Sequence, residues 1–258
     1  MESTMRTPEE ILEITIETGV KKTKKKLPAK LILGFIGGAM ISLGYLAYIR
    51  VIASVAHHWG SFASFIGACV FPIGLIVILL AGGELATGNM MAVSSAWIAK
   101  RIKFTDFAKN LLTITATNFV GALFVAYFFG HFVGLTHGGV FLEETIVVAN
   151  AKLSANFWQA FVSGIGCNWF VGLSLWLCYG AKTDIGKIIG IWFPVMVFVA
   201  IGFQHSIANI FVISAAIFEG HGTWLAFVYN FIPVFLGNVV GGSVFISLAY
   251  YLSYHKYH

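Results

Sequence analysis

Charge is what this sequence has least of. Only 10% of its 258 residues are Asp, Glu, Lys or Arg, while 58% are hydrophobic. A soluble domain carries roughly 25% charged residues. A chain with a mean hydropathy of +0.85 cannot hide its apolar surface in water, so an integral membrane protein is expected and a water-soluble module is excluded. Cysteine is also scarce. Cys69, Cys167 and Cys178 all lie in apolar segments, with no disulfide framework and no metal-ligand spacing, and read as small packing residues. No metal and no cofactor is therefore expected. The first thirty residues lack an apolar core, which speaks against a cleavable signal peptide. There is no cluster of intramembrane histidines for haem and no pair of acids for hydrolysis, so an enzyme is not expected. The net charge of +5 does not imply a nucleic-acid partner, because the basic residues flank the apolar segments as membrane topology requires.

What the N-terminus does have is a helix signature. Thr7-Pro8-Glu9-Glu10 reads as an N-cap, a proline at the first helical position and a capping-box glutamate. Leu12, Ile16 and Val20 form an i, i+4 apolar row, and lysines gather late, in KKTKKK (21–26), matching the helix dipole. Residues 1–27 are expected to form an amphipathic helix on the anionic cytoplasmic leaflet; the alternative is a solvated tail. Residues 28–258 are expected to form a single six-span transmembrane domain.

The apolar segments fall at roughly 31–52, 62–99, 107–130, 156–180, 185–218 and 224–252, against the roughly 20 residues that span a bilayer. The second and fifth are too long, and each is interrupted: by AGGELATGN (81–89) and by IGFQHSIANIF (201–211). With both termini inside, only Arg50 and Lys152 among the 16 basic residues fall outside, a bias that supports six spans in the cell (plasma or inner) membrane with cytoplasmic ends. At an offset of 120, Gly82, Glu84 and Asn89 meet Gly202, Gln204 and Asn209, and Asn118, Val120 and Gly121 meet Asn238, Val240 and Gly241. The first and fourth spans match at 128, Gly38 with Gly166 and Gly44 with Gly172. An all-α membrane protein follows, a 3+3 inverted repeat of six transmembrane helices with helices 2 and 5 broken at the midplane.

Unwound backbone at membrane depth is tolerated only inside protein or along an aqueous path. Each break also frees a half-helix N-terminus, and Asn89 and Ser206 are placed early in those half-helices. Two converging N-termini favour an anion. Lys152 adds attraction at the outer mouth. His205 is read as the only histidine inside a span, the others (His57, His58, His131, His137, His221, His255, His258) falling in loops or ends. Burial disfavours its imidazolium and a bound anion favours it, which makes His205 a candidate switch or proton relay, with Thr87 offering a hydroxyl to the same ion. Glu84 is read either as a loop gate or proton carrier, or as a buried acid that ties down its own loop through backbone N–H groups. Asn89 and Asn209 are expected to hold the two broken helices in register.

These residues resemble the formate/nitrite transporters over about 28–250. The motifs are GGELATGNM (82–90), CNWFVGLSLW (167–176), KIIGIWFPVMVFVAIGFQHSIANIF (187–211) and FLGNVVGG (235–242). The resemblance implies an aquaporin-like protomer in a homopentamer, each protomer with its own pore for formate, nitrite or hydrosulfide, or lactate in some members. It implies that His205 and Thr87 face each other at the pore centre with Asn168 nearby, and that Lys152 sits in the outer vestibule. Phe71 and Phe198 match an outer constriction, Leu75 and Leu85 an inner one, and Glu84 the acid of the first broken helix. The family often has Phe between the acid–leucine pair and the threonine. Ala86 stands there in this chain, which widens the inner slit or leaves its closure to neighbours. The mechanism to expect is passage of a weak-acid anion, formate or nitrite first and hydrosulfide as the alternative, linked to a proton at His205. A neutral-solute channel is the rival class, but the asparagine-proline-alanine signature is absent from both breaks.

Overall fold

The computed structural model describes residues 3–256, apart from the side chains of Ala56, His57 and Lys256. The readings placed on the side chains of His57 and His258 lie outside that set. The described chain is helical, with no strand beyond an isolated bridge between Met5 and Ala181. In order it forms α1 (Pro8–Lys24), α2 (Leu27–Ile52), α3 (Ser61–Gly82), α4 (Ala86–Ile98) and α5 (Phe104–Phe132). Then come α6 (Gly139–Leu153), α7 (Phe157–Gly180), α8 (Asp184–Ile201), α9 (Ser206–Phe218) and α10 (Trp224–His255). Six of these, α2, α3, α5, α7, α8 and α10, are long and apolar enough to cross a membrane. The 13-residue α4 and α9 are each only about 20 Å long, short of a ~30 Å hydrocarbon core. They complete α3 and α8 as the two interrupted spans.

The interruptions occur where the backbone leaves the helical region. Gly82 has φ 114° and Gly202 has φ 87°, conformations that glycine adopts without a Cβ penalty. Leu85 and His205 then sit in extended conformation as N-caps of α4 and α9. Span α5 runs to Phe132 through wide π-type turns and α10 runs to His255, so the spans take in His131 and His255. His205 is therefore not the only histidine on a span.

One asparagine in each repeat locks the break to its neighbours. Asn118 donates to the carbonyls of Gly34 (2.6 Å) and Glu84 (2.8 Å) and accepts the Ala86 N–H (2.8 Å). Asn238 donates to the carbonyls of Gly164 (2.8 Å) and Gln204 (3.1 Å) and accepts the Ser206 N–H (2.9 Å). The offset of 120 thus carries real contacts through the breaks and third spans. The first spans correspond at 130 (Gly34 with Gly164) rather than the expected 128. Gly121 and Gly241 agree: a Cβ on either would collide with the carbonyl of Phe35 or Ile165, again 130 apart. The Gly38/Gly166 and Gly44/Gly172 matches are fortuitous, since Gly38 packs on Asn118 backbone while Gly166 packs on the Phe203 ring. A glycine-rich helix matches itself at many offsets.

The same 130 relates α1 to α6. Asn110 donates to the Lys22 carbonyl (3.3 Å), and Asn230 to the Lys152 carbonyl (2.8 Å). Each repeat therefore holds a short helix, a span, a broken span and a third span. The capping box of α1 forms as expected, Thr7 N–H to Glu10 at 2.9 Å and Glu10 N–H to Thr7 at 3.4 Å. Its apolar row, however, does not face a leaflet. Ile11, Leu12 and Ile16 are buried in the protein core, and Gly19 lies against the carbonyl of Ala92 on α4.

Candidate functional site

The two half-helices present their N-termini to each other, and one side-chain pair joins them. Thr87 Oγ1 lies 2.9 Å from His205 Nε2, both residues buried. The other ring nitrogen settles the tautomer. His205 Nδ1 accepts the N–H of Ala208 at 3.1 Å, an N-cap bond made by a histidine. A nitrogen that accepts cannot carry a proton, so the ring is neutral with its hydrogen on Nε2, donating to Thr87 Oγ1. The threonine hydroxyl hydrogen is left free to donate elsewhere. Asn168 closes the centre: its Nδ2 donates to the carbonyls of Thr87 (3.1 Å) and Asn238 (2.7 Å). Asn168 Oδ1 and Ser206 Oγ are buried there without a hydrogen-bond partner among the described residues.

On one side of this centre lies a cavity of about 290 Å³ lined by Lys152, Phe71, Phe198, Tyr48, Glu144 and His205, among others. Phe71 and Phe198 meet edge to face across it, with ring centroids 5.9 Å apart, and Phe198 stacks on the His205 ring at 6.0 Å. The two phenylalanines thus stand against the central histidine in the wall of that cavity. Lys152 donates to the carbonyls of Gly202 (3.0 Å) and Phe203 (3.4 Å), at the C-terminal end of α8. Burial pushes its ammonium down to about 8. Leu75 and Leu85 are both buried in the core, and Ala86 is fully enclosed beside Thr87.

Glu84 is a buried, tied-down acid, but not through the groups expected. Its carboxylate is held by side chains rather than backbone N–H groups: Lys22 Nζ and Lys25 Nζ, each at 2.9 Å, and Asn89 Nδ2 at 2.9 Å. Nor do Asn89 and Asn209 bind the two breaks to each other. Each clamps its own break to the following span, Asn89 to Glu84 and Asn110, Asn209 to Gln204 and Asn230, all within 2.9 Å. The sequence reading missed Lys22, Asn110 and Asn230. Asn110 and Asn230 obey the 120 offset and were visible as repeat partners, whereas Lys22 pairs with Lys152 only at the 130 offset that the fold reveals. No group of three or more His, Cys, Asp or Glu among the described residues could hold a metal ion.

This arrangement defines a polytopic membrane protein whose two interrupted spans meet at a polar centre, the plan of a channel or transporter. The family model for formate/nitrite transporters matches residues 9–252. The chain is 57% identical to the uncharacterized transporter YrhG of Bacillus subtilis over 97% of its own length and 94% of that protein. It is 53% identical to the formate channel BtFdhC of Bacillus thuringiensis over 97% and 96% of the two chains. Among solved structures it superposes on a pentameric formate channel with formate bound at a TM-score of 0.78 and 27% identity, covering 90% of this chain and 98% of that one. An FNT family ion channel gives a TM-score of 0.85 at 25% identity, over 94% and 98%. The chain belongs to the formate/nitrite transporter family.

Proposed function

We propose that the protein is a homopentameric channel of the cell membrane, with cytoplasmic termini and α1 on the inner face. It passes formate or a closely similar monovalent weak-acid anion, nitrite and hydrosulfide included, each protomer through its own pore. The observation that carries this reading is the Thr87–His205 pair at two facing half-helix N-termini. Similarity to formate channels supports formate as the first substrate to test.

Lys152 gathers the anion, which then passes Phe71 and Phe198. A bare charge in such a slit costs several kcal/mol. At the centre the Thr87 hydroxyl and the His205 Nε2–H both donate to it, and each half-helix N-terminus adds about 0.3–2 kcal/mol. A neutral imidazole cannot give up Nε2–H as a proton, since that leaves an imidazolate. Proton transfer therefore begins at Nδ1. A proton taken there breaks the bond to the Ala208 N–H, and the bound anion supplies the charge that offsets this cost. In acid that proton comes from water in the cavity, and the imidazolium gives its Nε2 proton to the anion, which leaves as the neutral acid. The Nδ1 proton returns through water to Nε2, so that the bond to the Ala208 N–H re-forms. At neutral pH the anion crosses unprotonated.

Removing the Thr87 hydroxyl without changing shape, by Thr87→Val, is expected to slow formate flux about tenfold, the worth of one charge-assisted hydrogen bond of roughly 1.5 kcal/mol. Initial rates in proteoliposomes measure this; an unchanged rate removes Thr87 from the pathway. Lys152 gives a pH signature. It is charged below about 8 and neutral above, so the half-saturation constant for formate entering from the Lys152 side should rise as pH climbs through that value. In Lys152→Met the constant should be high and flat. A wild-type constant that does not change between pH 7 and 9 contradicts the role.

A further inference from the structure

The two repeats build the same hydrogen-bond frame twice, but with one charge missing. On the inner side, Glu84 bonds Asn89, Asn89 bonds Asn110, and Asn110 reaches the Lys22 carbonyl. On the outer side, Gln204 bonds Asn209 and Asn230, and Asn230 reaches the Lys152 carbonyl. Lys22 and Lys152 are thus equivalent residues, and Glu84 and Gln204 are equivalent too. Their fates differ. Lys22 is spent on the Glu84 carboxylate at 2.9 Å, with its side chain 11% exposed. Lys152 meets a neutral amide loop and donates only to carbonyls. Glu144 lines the outer cavity as well, but it lies two helical turns away along α6, and Lys152 makes no ion pair within 4 Å among the described residues. Two inner ammoniums share one carboxylate, so a positive charge remains inside also. It rests in a closed cluster with the more exposed Lys25, and an incoming anion must compete there with Glu84.

We propose that Gln204, standing where the inner repeat has an acid, makes the pore sided: it leaves Lys152 without the directly bonded carboxylate that holds Lys22, so that small anions are captured more tightly from the outer face than from the inner. This rests on the channel reading above. Microscopic reversibility requires equal permeability in both directions at low concentration. The asymmetry therefore appears in saturation, with a lower half-saturation constant for entry from outside.

The test measures formate entry into vesicles free of internal formate at pH 7, using right-side-out and inverted membrane vesicles. In the unaltered protein the outer constant should be about fivefold lower than the inner. Gln204→Glu, which offers Lys152 the carboxylate that Lys22 has, should raise the outer constant to near the inner value and leave the inner one unchanged. Glu84→Gln, which frees Lys22, should lower the inner constant. Equal constants from both faces of the unaltered protein overturn the inference. So does an outer constant that Gln204→Glu leaves in place. If Gln204→Glu does not insert, the unaltered protein and Glu84→Gln decide. Absence of saturable formate entry from either face defeats the channel reading itself, whereas symmetric entry defeats only the sidedness.

Discussion

Replacing His205 by phenylalanine is expected to cut formate flux about 100-fold at neutral pH. Phenylalanine keeps the ring and its stack on Phe198, 6.0 Å away with planes 19° apart, so the substitution separates chemistry from packing. What it removes is the Nε2–H beside Thr87 and the Nδ1 acceptor for the Ala208 N–H. The lost cap costs about 1 kcal/mol of helix stability. The lost donor costs more, since a hydrogen bond to an anion in a dry site is worth up to about 3 kcal/mol, and that is roughly a factor of 100 in rate. Residual flux should follow the undissociated acid and rise about tenfold for each unit of acidification, because the variant has no other route. Wild-type flux should depend on pH less steeply. His205→Asn, which keeps an N–H donor but cannot titrate, should recover much of the rate while retaining the steep profile. Stopped-flow proteoliposome uptake between pH 5 and 8 reads all three. An unaltered rate and profile in His205→Phe would remove the histidine from the mechanism.

Asn118→Leu should be the most damaging single change to stability. The Asn118 amide serves the Ala86 N–H and the carbonyls of Gly34 and Glu84 at once, and it is fully buried. Leucine fills a similar volume but satisfies none of them. Each of the three stranded groups costs about 1–3 kcal/mol, which gives a loss of roughly 3–9 kcal/mol. That is a large share of the 5–15 kcal/mol that typically holds a fold together. Asn238→Leu should behave alike, because Asn238 occupies the same place in the second repeat. Thr113→Val, which removes an exposed hydroxyl bonded only to the Lys109 carbonyl, should be nearly silent. Thermal unfolding in detergent distinguishes these outcomes. If Asn118→Leu unfolds within a degree or two of the parent, the asparagine is not the clamp described.

The six spans and their two interruptions are legible because lipid leaves so few options: scarce charge, one-sided lysines, and polar residues gathered at two places 120 apart. The rest is hidden for identifiable reasons. The separation of the first span from its break is ten residues greater in the first repeat, 34 to 84 against 164 to 204. The first repeat has the longer link between its first two spans, 53–60 against 181–183, and α3 is longer than α8. A fixed-offset comparison therefore loses register there, and the glycines supply a false match at 128. Lys22 is concealed by its neighbours in KKTKKK, which look like leaflet contacts. Its position on the face of Thr15 and Gly19, both buried, is the signal that sets it apart. The Thr87–His205 contact was reached through resemblance. Neither offset equates the two, since Leu85 is the residue that corresponds to His205, and only the folded chain brings a hydroxyl from the first half to an imidazole of the second. The tautomer lay beyond any sequence reading, because it depends on the geometry of one backbone N–H.

On the function proposed above, a small weak-acid anion crosses this protein in acid together with a proton at His205. Formate uptake into proteoliposomes carrying an internal pH dye tests it most directly, with membrane potential clamped and external pH stepped from 7 to 5. The account predicts saturable formate entry and internal acidification that approaches one proton per formate as the pH falls, both reduced about 100-fold in His205→Phe at neutral pH. Vesicles that admit water or neutral solutes but no formate at any pH, or formate entry whose proton stoichiometry is the same at pH 7 and pH 5, would contradict it.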